Sequence, residues 1–175
     1  MSQPGSSMMM NDERDLFTIT MKGDWHEVIK IYREDHGAQR AKVTRSGDTA
    51  LHVAVSNVNE AIVEKLIDAI TETSFENSRG ALMIQNEAGN TPLHIAASMG
   101  NAKMCDLISQ VDPKLIGVKN KDGETPLFMA ALHGRKATFL CLHYFLLPPF
   151  EISYCRRNDG DTILHCALAG DYFGK

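Results

Sequence analysis

One nine-residue pattern recurs four times in this 175-residue chain, and it limits the possible folds more than any other feature. The copies are Gly47-Asp-Thr-Ala-Leu-His-Val-Ala-Val55, Gly89-Asn-Thr-Pro-Leu-His-Ile-Ala-Ala97, Gly123-Glu-Thr-Pro-Leu-Phe-Met-Ala-Ala131 and Gly160-Asp-Thr-Ile-Leu-His-Cys-Ala-Leu168. Their threonines, Thr49, Thr91, Thr125 and Thr162, stand 42, 34 and 37 residues apart. A period in the thirties marks an array of small units, each burying its apolar face against its neighbours.

The residue types in the pattern have separate physical reasons. Glycine ahead of it permits the positive φ of a tight turn. Each threonine hydroxyl suits a helix N-cap. Pro92 and Pro126 follow at the first helical position, where a missing N–H costs nothing. Leu51, Leu93, Leu127 and Leu164 begin a buried stripe, and Gly100 and Gly134 are placed to end the first helix. A second helix is expected after each. Met104, Leu107, Ile108 and Val111 recur at helical spacing, as do Ile62, Leu66, Ile67 and Ile70. Ala137, Leu140, Cys141 and Tyr144 are expected to share one apolar face in the next copy. Upstream, Asp15–Gly23 followed by Trp25, Val28, Ile29 and Tyr32 reads as a degenerate first copy. Helix pairs are therefore expected near 12–33, 49–70, 91–111 and 125–145, then a single helix from about 162.

Two spacings exceed the period. The extra residues fall at 71–82, TETSFENSRGAL, read here as a polar loop, and around Leu147-Pro-Pro-Phe150. Residues 1–11, MSQPGSSMMMN, read as a flexible tail. The sequence stops at Lys175 inside an unfinished copy, whereas an array is expected to end in a polar cap. The expectation is that the natural protein continues and that the uncapped end frays or self-associates.

The motif G-x-T-P-L-H-x-A-A resembles the ankyrin repeat. That resemblance implies an all-α ankyrin-repeat solenoid of stacked antiparallel helix pairs with short β-hairpin or loop connections. The array would cover 12–175, with repeats near 12–45, 46–85, 86–119 and 120–157 and a truncated one at 158–175. Ala50 and Ile163 replace the motif proline, and Phe128 replaces the motif histidine. The long inserts, the W-x-x-V-x-x-x-Y helix and Gly170-Asp-Tyr-Phe173 are similar to plant ankyrin-repeat membrane proteins, of the accelerated-cell-death type. In that family an N-terminal array precedes a transmembrane block and serves defence and stress signalling. The resemblance thus implies a cytoplasmic-face domain, with the full-length protein anchored in the plasma membrane or an endomembrane.

The residues speak against most other function classes. The net charge of −4 lacks the positive field that holds nucleic acid. The longest apolar stretch, Phe139–Phe150, has 12 residues, short of a membrane span, so a membrane is reached only through segments absent here. No charged n-region precedes an apolar h-region at the N-terminus. Cys105, Cys141, Cys155 and Cys166 have no C-x-x-C spacing and read as reduced, mostly buried thiols. Phosphate-loop signatures are absent. His52, His94 and His165 recur once per repeat, roughly 10 Å apart, too far to share one zinc. In ankyrin arrays that histidine bonds to loop backbone and ties neighbours together. No catalytic, cofactor or metal residue is assigned.

Binding is expected at the turn tips and the open ends of the first helices, as the resemblance implies. The tips are Arg45, Ser46 and Asp48; Glu87, Ala88 and Asn90; Lys121, Asp122 and Glu124; and Asn158, Asp159 and Asp161. The helix-side positions are Ser56, Asn57, Ser98, Met99, Leu132 and His133. Six tip acids against two bases imply a basic or polar partner, unidentified. Three readings stay open: a non-catalytic interaction module of a plant membrane protein, a soluble ankyrin scaffold or adaptor, and an accessory array of an enzyme such as a kinase or ubiquitin ligase.

Overall fold

The computed structural model of the chain describes residues 16–72, 74–146 and 152–169. Residues 16–22 form helix α1. There follow α2 (Trp25–Glu34), α3 (Ala50–Ser56), α4 (Glu60–Thr71), α5 (Phe75–Leu82), α6 (Pro92–Met99), α7 (Ala102–Val111), α8 (Pro126–Leu132), α9 (Lys136–Tyr144) and α10 (Ile163–Ala169). The described residues contain no β-strand, and a single bridge joins Arg156 to Thr162. The flexible-tail expectation for 1–11, the 147–150 insert and the 170–173 motif lie outside the described residues.

Three of the second helices, α2, α4 and α7, begin where the sequence supplies a cap. Asp24, Asn59 and Asn101 accept from the backbone N–H of Glu27, Ile62 and Met104 at 3.4, 3.2 and 3.0 Å. The first helices then stack in one row, α3 on α6 on α8 on α10, and the second helices in another, α2 on α4 on α7 on α9. Leu51, Leu93 and Leu127 are buried between the rows, as are Val28, Tyr32, Leu66, Met104 and Ile108. Each pair covers its neighbour, which is what a stack of units too small to fold alone requires.

Two expectations fail. Residues 75–82 of the supposed polar loop are helix α5. Ser74 caps it, accepting from Asn77 N–H at 3.4 Å. Ser78, Ala81 and Leu82 turn inward, with Ser78 Oγ donating to the Ile70 carbonyl at 2.9 Å. Arg79 Nε meets the buried Asp112 Oδ2 at 2.8 Å, clipping α5 to the end of α7. The i, i+3, i+4 triad of 78, 81 and 82 was present in the sequence, masked by polar neighbours and Gly80.

The apolar face assigned to α9 is also wrong. Thr138 and Leu142 are its buried residues, whereas Leu140 is 56 % and Tyr144 82 % exposed. In α7 the corresponding side is in reach of the following second helix: Cys141 Sγ donates to Ala102 O at 3.5 Å and lies within electrostatic range of Asp106. On α9 the matching side stands open at Leu140 and Tyr144, and Leu164 and Leu168 of α10 are likewise 59 % and 61 % exposed.

Candidate functional site

The first helices α3, α6, α8 and α10 each open on a tight turn, and successive turns are bonded together. Asn86 N–H donates to Asn90 O at 3.0 Å and Asn120 N–H to Glu124 O at 2.9 Å, closing two of the turns. Between turns, Glu87 N–H donates to Ser46 O at 2.8 Å, Lys121 N–H to Ala88 O at 3.1 Å and Asn158 N–H to Asp122 O at 3.0 Å. Gly89 shows why glycine is needed: φ is +80°, and a Cβ would stand 2.6 Å from Lys121 N.

The motif histidines hold the same junctions from inside. His52 Nδ1 accepts from Thr49 N–H at 3.1 Å, and His94 Nδ1 from Thr91 N–H at 3.1 Å. An accepting Nδ1 puts the proton of a neutral ring on Nε2. That nitrogen then donates to the next turn, His52 to Asn90 O at 3.0 Å and His94 to Glu124 O at 3.1 Å. Burial holds His52 below its ordinary pKa and brings His94 down to about 4. A second proton would sit on Nδ1, facing a donor. These histidines are neutral ties, unsuited to proton transfer at neutral pH. His165 makes the same contact to Thr162 N–H, at 3.2 Å, but is exposed. Where Phe128 stands in place of histidine, Thr125 Oγ accepts from Phe128 N–H at 3.1 Å and donates to Tyr154 O at 2.8 Å.

The tip residues are less acidic in effect than their sequence suggests. Asp48 is bonded by Ser46, Thr44 and Asn86. Its carboxyl, raised by burial, is drawn below the ordinary value by those donors. Glu124 is buried between Asn120 and Arg157, and Asp159 pairs with Arg157 at 3.1 Å. The side chains left without a hydrogen bond or ion pair among the described residues are Glu87, Asp122 and Asp161 against Arg45 and Lys121. The acid surplus that implied a basic partner is therefore largely spent inside the turns. Asn90 also turns inward, accepting from Asn120 Nδ2 at 3.0 Å.

The helix-side positions lie at the other end of the first helices, roughly 10 Å from the turns. Ser56 and His133 are exposed, Met99 is 37 % exposed, and Ser98 and Leu132 are half-buried. Between the two ends runs a row that sequence reasoning missed: Val53, Ile95 and Met129, one per pair, each half-buried. They occupy the variable position between His and Ala of the motif, and that variability was the available signal.

No group of three or more His, Cys, Asp or Glu among the described residues is placed to hold a metal. Cys105, Cys141 and Cys155 are free, with their thiols raised by burial. No described helix is long and apolar enough to cross a membrane.

Comparison with known proteins agrees with this geometry. A family described as ankyrin repeats (3 copies) matches residues 16–116 and 70–144. The chain is 28 % identical to alpha-latrotoxin-Lg1a of Latrodectus geometricus over 170 residues, covering 95 % of this chain and 12 % of the toxin. It is 31 % identical over 121 residues to the probable 26S proteasome regulatory subunit p28 of Saccharomyces cerevisiae, covering 67 % of this chain and 49 % of that protein. The chain thus spans from an eighth to a half of these relatives. Its fold matches the yeast chaperone Yar1, solved in complex with ribosomal protein Rps3, at a TM-score of 0.65 and 23 % identity, over 81 % of this chain and 97 % of the other. The motif, its turn-and-histidine ties and the matched residues together carry one conclusion: the chain belongs to the ankyrin-repeat family.

Proposed function

We propose that this chain recognises another protein without performing chemistry on it. Ankyrin arrays are protein-interaction modules, and the observation that carries the reading here is the row of Val53, Ile95 and Met129. It puts one half-buried apolar side chain on each of α3, α6 and α8, with Met99 and Leu132 at the far ends of α6 and α8 and the unpaired Arg45, Glu87, Lys121 and Asp122 at the turns. Apolar anchors inside a charged rim are the ordinary composition of a binding face. Of the tip and helix-side candidates, Arg45, Glu87, Lys121, Met99, Leu132, His133 and Asp161 keep side chains available to a partner, while Asp48, Asn90 and Glu124 serve the turns. The partner face is mixed in charge.

The wider setting is the cytosolic recognition domain of a plant membrane protein in stress or defence signalling. It is supported by the inserts between repeats and the Trp25–Tyr32 helix. A soluble scaffold or adaptor is the second reading, in line with the 31 % identity to a protein named as a probable proteasome regulatory subunit. Ile95→Arg and Met129→Arg, both at half-open positions, test the module itself. Isotope-labelled affinity capture with the wild-type chain should yield proteins lost with either variant at unchanged melting temperature. Identical captured sets would remove the apolar strip as the binding face. Fractionation of the full-length protein between membrane and soluble pools separates the two settings.

A further inference from the structure

At the ends opposite the turns, successive helix pairs meet in two differently built junctions. Between α6–α7 and α8–α9, Arg135 crosses from one pair to the other. Its Nε donates to the carbonyl oxygen of Ser98 at 3.0 Å. Its stem lies so close over Gly100 (φ +82°) that a Cβ there would stand 2.7 Å from Arg135 Cδ. One arginine thus satisfies an open carbonyl at the end of α6 and covers the turn with its methylenes.

Between α3–α4 and α6–α7 the same register places Asn101 where Arg135 stands. Asn101 caps α7 and donates to Glu60 Oε1 at 3.0 Å. It does not reach back to α3. The carbonyl of Ser56, the counterpart of Ser98, accepts no hydrogen bond among the described residues. Two residues further on, Val58 lines an open cleft of about 310 Å³ together with Glu60, Met99, Gly100, Asn101 and Lys103.

Two features give this cleft a chemistry. Val58 has φ +55°, at the position filled by Gly23, Gly100 and Gly134 with φ of +75°, +82° and +65°. A β-branched residue in that region is a strained outlier, and its side chain is held 52 % exposed beside Met99. Around this apolar patch, Glu60 and Glu64 share a single ammonium, Lys103, at 3.4 and 3.9 Å. Two carboxylates against one cation leave one negative charge unbalanced.

We propose that the cleft receives an arginine side chain of a protein partner, as Arg135 serves the next junction. The guanidinium pairs with the Glu60 carboxylate, with the charge of Glu64 behind it, and reaches for the Ser56 carbonyl as Arg135 does for Ser98, while the stem lies on Val58 and Met99. A planar fork with several donors can meet a carboxylate and a carbonyl together, which an ammonium does less well. The inference rests on the reading of the chain as an interaction module, but a small probe tests it without the natural partner.

The test is a titration of the methyl-labelled 175-residue chain, followed by NMR, with N-acetyl-arginine methylamide and its lysine and norleucine counterparts. The arginine probe should shift the Val58 and Met99 methyl signals and saturate in the millimolar range, about 3-fold more tightly than lysine. Norleucine should leave them in place. Glu60→Gln should weaken arginine binding about 5-fold, and Lys103→Met, which releases both carboxylates, should tighten it about 3-fold. Unchanged urea midpoints would certify that both variants are folded. Equal shifts from norleucine, arginine binding indifferent to Glu60→Gln, or weaker binding by Lys103→Met would each overturn the proposal. None of those outcomes touches the Val53–Ile95–Met129 face, whose failure would be read separately in the capture experiment.

Discussion

The hydroxyl of Thr125 donates to the carbonyl oxygen of Tyr154 at 2.8 Å, at the junction where Phe128 has displaced the motif histidine. Freed from an imidazole, the threonine carries two duties. It caps α8 and ties the following turn, which His52 and His94 do elsewhere. Thr125→Ala should therefore cost about 2 kcal/mol, against about 1 kcal/mol for Thr91→Ala, whose junction keeps His94. Urea melting of the two variants checks the difference, and equal losses would mean that the Tyr154 bond contributes nothing.

The buried imidazoles make stability depend on pH. Burial brings His94 down to about 4 in the folded chain, from 6.5 when unfolded. Below 6.5 the unfolded state therefore takes up protons that the folded ring refuses, and stability falls until the pH passes below about 4. At pH 5 the loss attributable to this residue is about 2 kcal/mol, with His52 adding in the same direction. His94→Phe, copying the solution at Phe128, should flatten the pH 7.5-to-5 decline in urea midpoint even if it lowers the value at neutral pH. An equally steep decline in the variant would place the acid sensitivity elsewhere.

Val58 and Gly100 occupy one register position with opposite needs. Val58→Gly relieves a left-handed β-branched residue, a gain of about 1–2 kcal/mol, less about 0.5–1 for glycine's unfolded freedom. The net expectation is a rise in melting temperature. Gly100→Ala should lower it, since the new methyl meets the Arg135 stem. The same sign for both substitutions would contradict the backbone argument.

The clip between α5 and α7 leaves Asp112, whose side chain is 5 % exposed, dependent on Arg79. Arg79→Ala should cost about 2 kcal/mol, because the carboxylate stays buried without its cation. Amide exchange should rise first across Phe75–Leu82. If exchange there is unchanged, α5 is held by Ala81 and Leu82 alone.

Equivalent leucines should behave unequally along the array. Leu93 and Leu127 are fully buried, and Leu93→Ala should cost about 3 kcal/mol. Leu164 is 59 % exposed, and Leu164→Ala should cost under about 1 kcal/mol. By the same reasoning α10 should show faster amide exchange than α6, unless two copies of the chain cover it. Protection of α10 equal to that of α6 in a monomer, by sedimentation, would refute the open-end account.

Much of the fold was readable because repetition makes the pattern its own control. Thr91 and Leu93 have one reading on four aligned copies, Pro92 on two, and the helices fall within a few residues of the expected ranges. Helix α5 was lost because it occurs once, so Ser78, Ala81 and Leu82 had no counterpart to amplify them. The α9 face failed for another reason. Periodicity finds a stripe but not which neighbour covers it, and on α9 the covered side passes through Thr138, a polar residue. The proposed binding face was half legible. Residue type identified the tips, yet only coordinates show that Asp48, Glu124 and Asp159 are committed internally while Val53, Ile95 and Met129 are only half-buried.

The turn-to-turn backbone bonds have a mechanical consequence. Ser46–Glu87, Ala88–Lys121 and Asp122–Asn158 fasten one edge of the leaves that begin with α3, α6, α8 and α10, as a spine binds pages. At the opposite edge the leaves meet through side chains, Asn101 on Glu60 and Arg135 on Ser98. Any change of curvature must therefore open or close at that free edge, fanning about the spine. The gap beside Val58 lies in the fore-edge, between leaves that no arginine yet staples, so whatever fills it also sets the angle at which the neighbouring apolar strip is presented.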